Sequence, residues 1–235
     1  MQTAMRKRLL LLCCLLASST LIAETLQVQR LQFEVTEAGQ APYLSRMLAT
    51  GQMLRIDEGQ DAMDFILFDR AKRVIYSVDH GERNILVINP KSDTQTDTQR
   101  PAIKIQATDA GEAPLVAGRK AQHWTLQVNG QPCQQAMVLP GMMATSMAAQ
   151  REYLATLAEQ HKQTLSEIPI GYRDACADAT QVYAPNALLE KGLPLRLWDV
   201  NGNQQILTDF SESEVMDADL FSLPDGFTSR AMPQQ

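Results

Sequence analysis

Four short apolar runs crowded between Met53 and Ile88 leave room for little except β-structure. Met53-Leu54-Arg55-Ile56-Asp57 alternates apolar and polar residues, Phe65-Ile66-Leu67-Phe68 is apolar throughout, Val74-Ile75-Tyr76-Ser77-Val78 is β-branched and aromatic, and Ile85-Leu86-Val87-Ile88 closes the set. The polar clusters between them, Glu58 to Asp61, Asp69 to Lys72 and Asp79 to Glu82, are turn formers. No gap is long enough for a helix, so the stretch predicts an antiparallel meander.

Upstream, Leu26 and Val28 start an alternation that continues out of phase as Leu31, Phe33 and Val35, which predicts a β-bulge near Gln29-Arg30. Tyr43 to Thr50 reads as either a strand or a helical turn. Downstream, Asn89 to Arg100 forms a solvated loop, Ile103 and Ile105 mark a strand, and residues 111–118 a connection. Trp124, Leu126 and Val128 share one strand face ahead of Asn129-Gly130, a strong two-residue hairpin turn. Counting back across it sets Leu126 opposite Cys133, and Pro132 places the returning strand near a sheet edge. A second turn at Asn201-Gly202 sets Ile206 opposite Leu197 and Phe210 opposite Leu193. Ala187 to Lys191 reads as a helical turn closed by Gly192, and the terminal Asp219 to Phe227 segment as a turn docking Leu220, Phe221 and Phe227.

The period changes once. Beyond Pro140-Gly141 apolar positions fall at Met143, Met147, Leu154, Leu157, Ala158, His161, Leu165 and Ile168, which is helical spacing, and Pro169 and Gly171 end it. The spacing predicts a helical insertion over 143–168 whose apolar stripe lies on a sheet.

Residues 1–23 read as a signal peptide: Arg6-Lys7-Arg8, then an apolar core from Leu9 to Ala17, then a cut after Ala23. The expectation is an exported chain with a single domain over 24–235 and no integral membrane span once the signal is removed. Leu12 ahead of Cys13 is wrong for a lipid-anchor signal. Losing the three basic residues Arg6, Lys7 and Arg8 would take the formal charge from −6 to −9, which excludes a nucleic-acid footprint. The cut leaves Cys133 and Cys176, expected to pair as a disulfide in an oxidising compartment.

An exported chain of meandering strands with one helical insertion, the strand start Gly192-Leu193-Pro194-Leu195-Arg196, and the closing Leu220-Phe221-Ser222-Leu223-Pro224-Asp225-Gly226-Phe227 resembles the uncharacterised envelope proteins related to the lipoprotein-localisation carriers. The similarity runs from about Leu26 to Phe227. It implies a periplasmic, mainly β protein with one long helix, an antiparallel open half-barrel with a helical plug. It also implies a lipid or lipoprotein acyl chain as ligand.

Catalytic groups do not converge. His80, His123 and His161 are scattered, and HExxH, GxSxG, CxxC and the phosphate-binding glycine loops are absent from the sequence. Asp57/Glu58 and Glu212/Glu214 read as solvated turn acids. Met137, Met142, Met143 and Met147 have three readings, namely packing, contact with an apolar ligand, and Cu(I) ligation. Packing is preferred, and neither metal nor cofactor is assigned. The functional expectation is a non-enzymatic carrier of a hydrophobic ligand. Met143, Met147, Leu154 and Leu157 form its lid, and Phe65, Leu67, Tyr76 and Trp124 its floor. The alternative is a periplasmic interaction or scaffold module with a closed core, holding an envelope protein partner.

Overall fold

The computed structural model describes residues 24–89, 100–108, 111, 115–165 and 167–232. The expected signal peptide, the polar loop at 90–99 and most of the connection at 109–114 lie outside them. Among the described residues, twelve strands form one sheet: β1 (Thr25–Thr36), β2 (Tyr43–Ala49), β3 (Met53–Asp57), β4 (Phe65–Asp69), β5 (Val74–Asp79), β6 (Asn84–Ile88), β7 (Ile103–Thr108), β10 (Gln122–Val128), β11 (Gln131–Leu139), β12 (Leu193–Asp199), β13 (Gln204–Asp217) and β14 (Thr228–Ala231). A separate two-strand hairpin, β8 (Leu115–Val116) with β9 (Arg119–Lys120), lies between β7 and β10 in the chain. Across the sheet the order is β14-β6-β5-β4-β3-β2-β1-β13-β12-β11-β10-β7, so the sheet is not closed. Every pair is antiparallel except β14 with β6, which makes the sheet mixed rather than purely antiparallel. The Tyr43 segment is a strand.

The meander from β3 to β6 pairs strand by strand as its spacing dictates. Successive side chains point to opposite faces, and both faces are covered here. On the first, Leu31, Phe33, Met47, Leu54, Phe68 and Ile75 belong to the largest apolar cluster, together with Met142, Met143 and Met147. On the second, Val28, Leu48, Phe65, Leu67, Val78 and Ile85 pack against Leu220, Phe221 and Phe227 of the terminal segment. The two are called the helix face and the tail face below.

A bulge falls where the phase change in β1 suggests, beside Val28 to Arg30, but the extra residue is in the partner strand. β1 pairs regularly with β2 from Gln29 to Val35, and the irregularity falls opposite, in β13. Two steps from Val28 to Arg30 match three from Glu214 to Ser211, and one step from Gln32 to Phe33 matches two from Asp209 to Leu207. Leu26 and Val28 belong to the tail face and Leu31, Phe33 and Val35 to the helix face because β1 crosses from one covered region to the other.

Other registers also depart from simple counting. Asn129 and Gly130 both take positive φ, 52° and 82°, and Val128 faces Gln131 across the turn as expected. Cys133 is then an extra residue in β11, so Leu126 faces Gln134; Cys133 is nonetheless buried beside Leu126 and Val128. β11 is interior, between β10 and β12, and Pro132 precedes the stretch that β12 pairs. At the second turn Asp199 Oδ1 accepts from the N–H groups of Asn201 and Asn203, widening the loop, so Leu197 faces Gln205 and Ile206 faces Arg196. Phe210 faces Leu31 rather than Leu193.

The long helix, α1 (Ala144–Leu165), is shorter than its expected 143–168 span. It packs on β1, β2, β3 and β5. After it, α2 (Ala175–Asp178), a wide helical turn at Ala179–Tyr183 and a tight turn at Leu189–Lys191 bring Ala175, Cys176, Ala179, Ala187 and Leu188 onto β10 to β12. Gly192 is irreplaceable there: at φ 142° a Cβ would stand 2.3 Å from the Leu139 carbonyl oxygen. Cys133 and Cys176 form a disulfide with Cα atoms 5.6 Å apart, closing a loop of 43 residues that contains α1.

Candidate ligand site under the long helix

The helix face is an apolar surface covered by one element, α1. Cross-strand pairs build it: Leu31 beside Met47, Met47 beside Ile56, Ile56 beside Ile66, Leu54 beside Phe68 and Phe68 beside Ile75. All belong to one cluster, with Leu54 and Phe68 fully buried.

α1 presents a different chemistry to that floor. Its buried residues are Ser146, Met147, Ala149, Gln150, Thr156, Ala158, Gln160 and Leu165, half of them polar. Thr156 satisfies itself on the Glu152 carbonyl oxygen at 2.9 Å. Gln150 Oε1 and His161 Nδ1 are buried without a partner, and an unsatisfied buried group costs about 1–3 kcal/mol. Tyr153 meets Phe68 edge-on at 5.9 Å, and burial pushes its phenol up.

Three devices hold the helix down. At its N-terminus Gln29 Oε1, from β1, accepts from the Ser146 N–H at 2.9 Å and from Ser146 Oγ at 3.2 Å, so the sheet itself supplies the cap. Midway, the β4–β5 turn supplies two clasps. Arg70 donates Nε and Nη2 to both oxygens of Glu152 at 2.6 and 2.8 Å, and Arg73 donates to Glu159 at 2.6 Å. Arg70 holds the Glu152 carboxyl below its ordinary range, and that hydrogen bond raises Arg70 in turn, against its own burial. Beyond the helix the disulfide fixes Cys176 to β11. A cleft of about 440 Å³ remains along the second half of α1, where Ala155, Ala158, Ala184, Pro185 and Ala187 form small apolar walls. In it Asn186 donates Nδ2 to the Arg151 carbonyl oxygen at 3.0 Å, while its Oδ1 is buried without a partner.

The residues expected as lid and floor are only partly brought together. Met143 and Met147 are buried in the helix-face cluster and Leu157 packs against it, whereas Leu154 is half-buried outside the cores. Phe65, Leu67 and Tyr76 lie on the tail face and Trp124 in the third cluster under α2. The floor under α1 is therefore Leu54, Ile56, Ile66, Phe68 and Ile75. Met47, Met137 and Met232 join Met142, Met143 and Met147 in the same cluster.

Sequence reasoning missed the charged framework. Arg46, Arg55 and Asp57 are buried on the tail face. Asp57 accepts from Arg46 at 2.8 Å and from Arg55 at 2.6 Å, and Arg55 also donates to the carbonyl oxygens of Asp61 and Leu220 while lying 3.9 Å from the Phe65 ring centroid. Burial alone would raise the Asp57 carboxyl; hydrogen bonds from Arg46, Arg55 and the Gly59 N–H outweigh it and hold the carboxyl low. The available signal was the uninterrupted run Phe65 to Phe68, which means both faces of β4 are covered, so the alternating charges of neighbouring β3 are buried too.

The histidines stand apart: His80 lies between Phe65 and Phe227, His123 stacks on Trp198 and His161 is on α1. Among the described residues no group of three or more His, Cys, Asp or Glu side chains is placed to hold a metal, and no helix is long and apolar enough to cross a membrane.

No protein-family model matches this chain, and no curated protein matches it. Among solved structures, two crystal forms of PNGF-II align with it at a TM-score of 0.41, with 9% and 7% identity, over 88% of this chain. The chain spans about a third of the length of those structures, 31% and 32%. A likeness at that level carries no functional reading.

Proposed function

We propose that the open sheet is a half-barrel, that α1 is its removable plug, and that the protein is a non-enzymatic carrier or sensor of a hydrophobic group, such as an acyl chain, in the cell envelope. The observation that supports this reading is a mismatch. A floor of Leu31, Phe33, Leu54, Phe68 and Ile75 is covered by a helix that adds Met147, Ala149, Tyr153 and Leu157 to the same cluster yet makes half of its own buried residues polar: Ser146, Gln150, Thr156 and Gln160. A helix whose buried side is half polar loses less on moving into water than an all-apolar one, while the floor it leaves needs an apolar occupant. Methionines at the helix's N-terminal seat suit a surface that repacks around variable shapes. The disulfide and the strand end at Leu139 tether both ends of the plug to β11, so it swings without leaving.

Native mass spectrometry of protein purified from the envelope tests the reading. A retained lipid is the expected result. A co-purified polypeptide with no lipid would favour the interaction module, for which the exposed Arg196 over Trp198 on the outer sheet is a polar contact point. Loss of lipid in Met147→Asp with an unchanged circular dichroism spectrum would place the ligand under α1. Wild-type protein that neither retains a lipid nor takes up an added long-chain alcohol would sink the proposal.

A further inference from the structure

We infer that Arg70 and Arg73 form an anion site for the head of an acyl amphiphile, a site that Glu152 and Glu159 of the plug fill when no ligand is present. This rests on the carrier reading and names the ligand's charge.

Arg70 is built as a receptor rather than a flexible surface cation. Its Nη1 donates to the carbonyl oxygens of Thr50 and Gly51 at 2.9 and 3.1 Å, and its side chain is only 14% exposed. The remaining fork, Nε and Nη2, is thereby aimed before any acid arrives, and a carboxylate from the plug takes both prongs at 2.6 and 2.8 Å. Such a bidentate pair selects a planar or tetrahedral oxyanion over a neutral group. Arg73 takes positive φ, 56°, and engages Glu159, two helical turns from Glu152 on the same side of α1. Lys72, between them, is occupied by Asp69 at 2.8 Å. Three cations in one turn stand out in a chain of net charge −6.

The site also sits at the right end of the apolar floor. Phe68 and Ile75, paired directly behind this turn, belong to the helix face, and the floor continues from them to Leu54, Ile56 and Ile66. A ligand lying on the floor with its head at the turn would exchange its own oxyanion for that of Glu152 while its tail replaces the inner side of α1. Head binding and plug release are then one event, because ligand and plug compete for the same donors and the same apolar surface. A fatty acid and a phosphate-headed lipid share this chemistry.

The test is fluorescence titration with cis-parinaric acid and its methyl ester. The wild-type protein should bind the acid about ten-fold tighter than the ester, the discrimination of one charge-assisted pair. Arg70→Gln should bring that ratio close to one while the ester still binds. Glu152→Gln with Glu159→Gln, which empties the site without touching the arginines, should raise the ratio further and keeps the test decisive if Arg70→Gln fails to fold. Displacement of the acid by dilauroyl phosphatidic acid would extend the site to phosphate heads; retention would restrict it to carboxylates, and both support an anion site. Displacement by inorganic phosphate alone would overturn the amphiphile, since a tail would then be unnecessary. Equal affinity for acid and ester in the wild type and in the double glutamine variant would overturn the anion site and leave the carrier standing. Binding of neither would overturn both.

Discussion

Each face of the β1–β6 sheet carries an apolar cluster, and the two are covered in different ways. On the tail face a short segment, Leu220 to Phe227, closes over a charge network in which Arg55 reaches Asp57, Asp61 and Leu220 at once, with the Asp57 side chain fully buried. On the helix face a 22-residue helix closes over an uncharged floor and keeps its ion pairs at the outer edge, where Glu152 is 44% exposed. Buried charge makes a cover costly to lift, since separation strands ions away from water. Edge charge does not, because water replaces the partner. On the proposed carrier reading, the tail segment stays as part of the core and α1 is the cover that lifts.

The largest effect should come from the tail face. Asp57→Ala would leave two buried guanidiniums facing each other, and urea unfolding should show a loss of about 3–5 kcal/mol; a loss under about 1 kcal/mol would erase the contrast. Cys133→Ser with Cys176→Ser should cost about 2–4 kcal/mol through the freed loop. Its sharper signature is hydrogen exchange: α1 amides should lose protection while β4 and β5 amides lose far less. Equal loss on all three would make the helix face as permanent as its opposite.

A change of opposite sign comes next. Gln150→Leu replaces a buried, unpaired amide oxygen by apolar surface over an apolar floor, and should stabilise by about 1 kcal/mol while slowing ligand uptake. Destabilisation there would show that Gln150 has a partner the closed form depends on. The smallest effect should be the clasp. Arg70, with a minor contribution from Arg151, keeps the Glu152 carboxyl low, so the clasp is at full strength above the ordinary carboxylate pKa of about 4.3 and is lost as pH falls below it. At the exposure of Glu152 this is worth under about 1 kcal/mol. The protection factors of α1 amides, corrected for the intrinsic pH dependence of exchange, should therefore fall modestly in acid and in high salt, and Glu152→Gln should remove the acid-dependent part.

Much of the fold was legible because its signals are local. The four runs of the meander, the Asn129-Gly130 turn, the single change to helical period and the docking of Leu220, Phe221 and Phe227 each depend on a few neighbouring residues, and each is present. What failed was counting across distance. Cys133 and residues in β13 are inserted into their strands without disturbing the apolar pattern, so registers shifted by one. The candidate site suffered from the same limit. Met143, Met147 and Leu157 declare their side through helical spacing, but in Phe65-Ile66-Leu67-Phe68 every residue is apolar, and nothing within the run says that Ile66 and Phe68 meet the helix while Phe65 and Leu67 meet the tail.

By itself, then, the chain's residue order determined most of the strands, though not β2, the β8–β9 hairpin or β14, together with the Asn129-Gly130 turn, the one long helix and the pairing of two cysteines, because backbone sterics and hydrophobic period act over a handful of residues. Which cover lies on which face, and that Arg55 is buried while Arg70 serves as a fastening, was decided only when the strands assembled. Charges far apart in the chain, such as Arg70 and Glu152, acquire a role from the surface that closes around them.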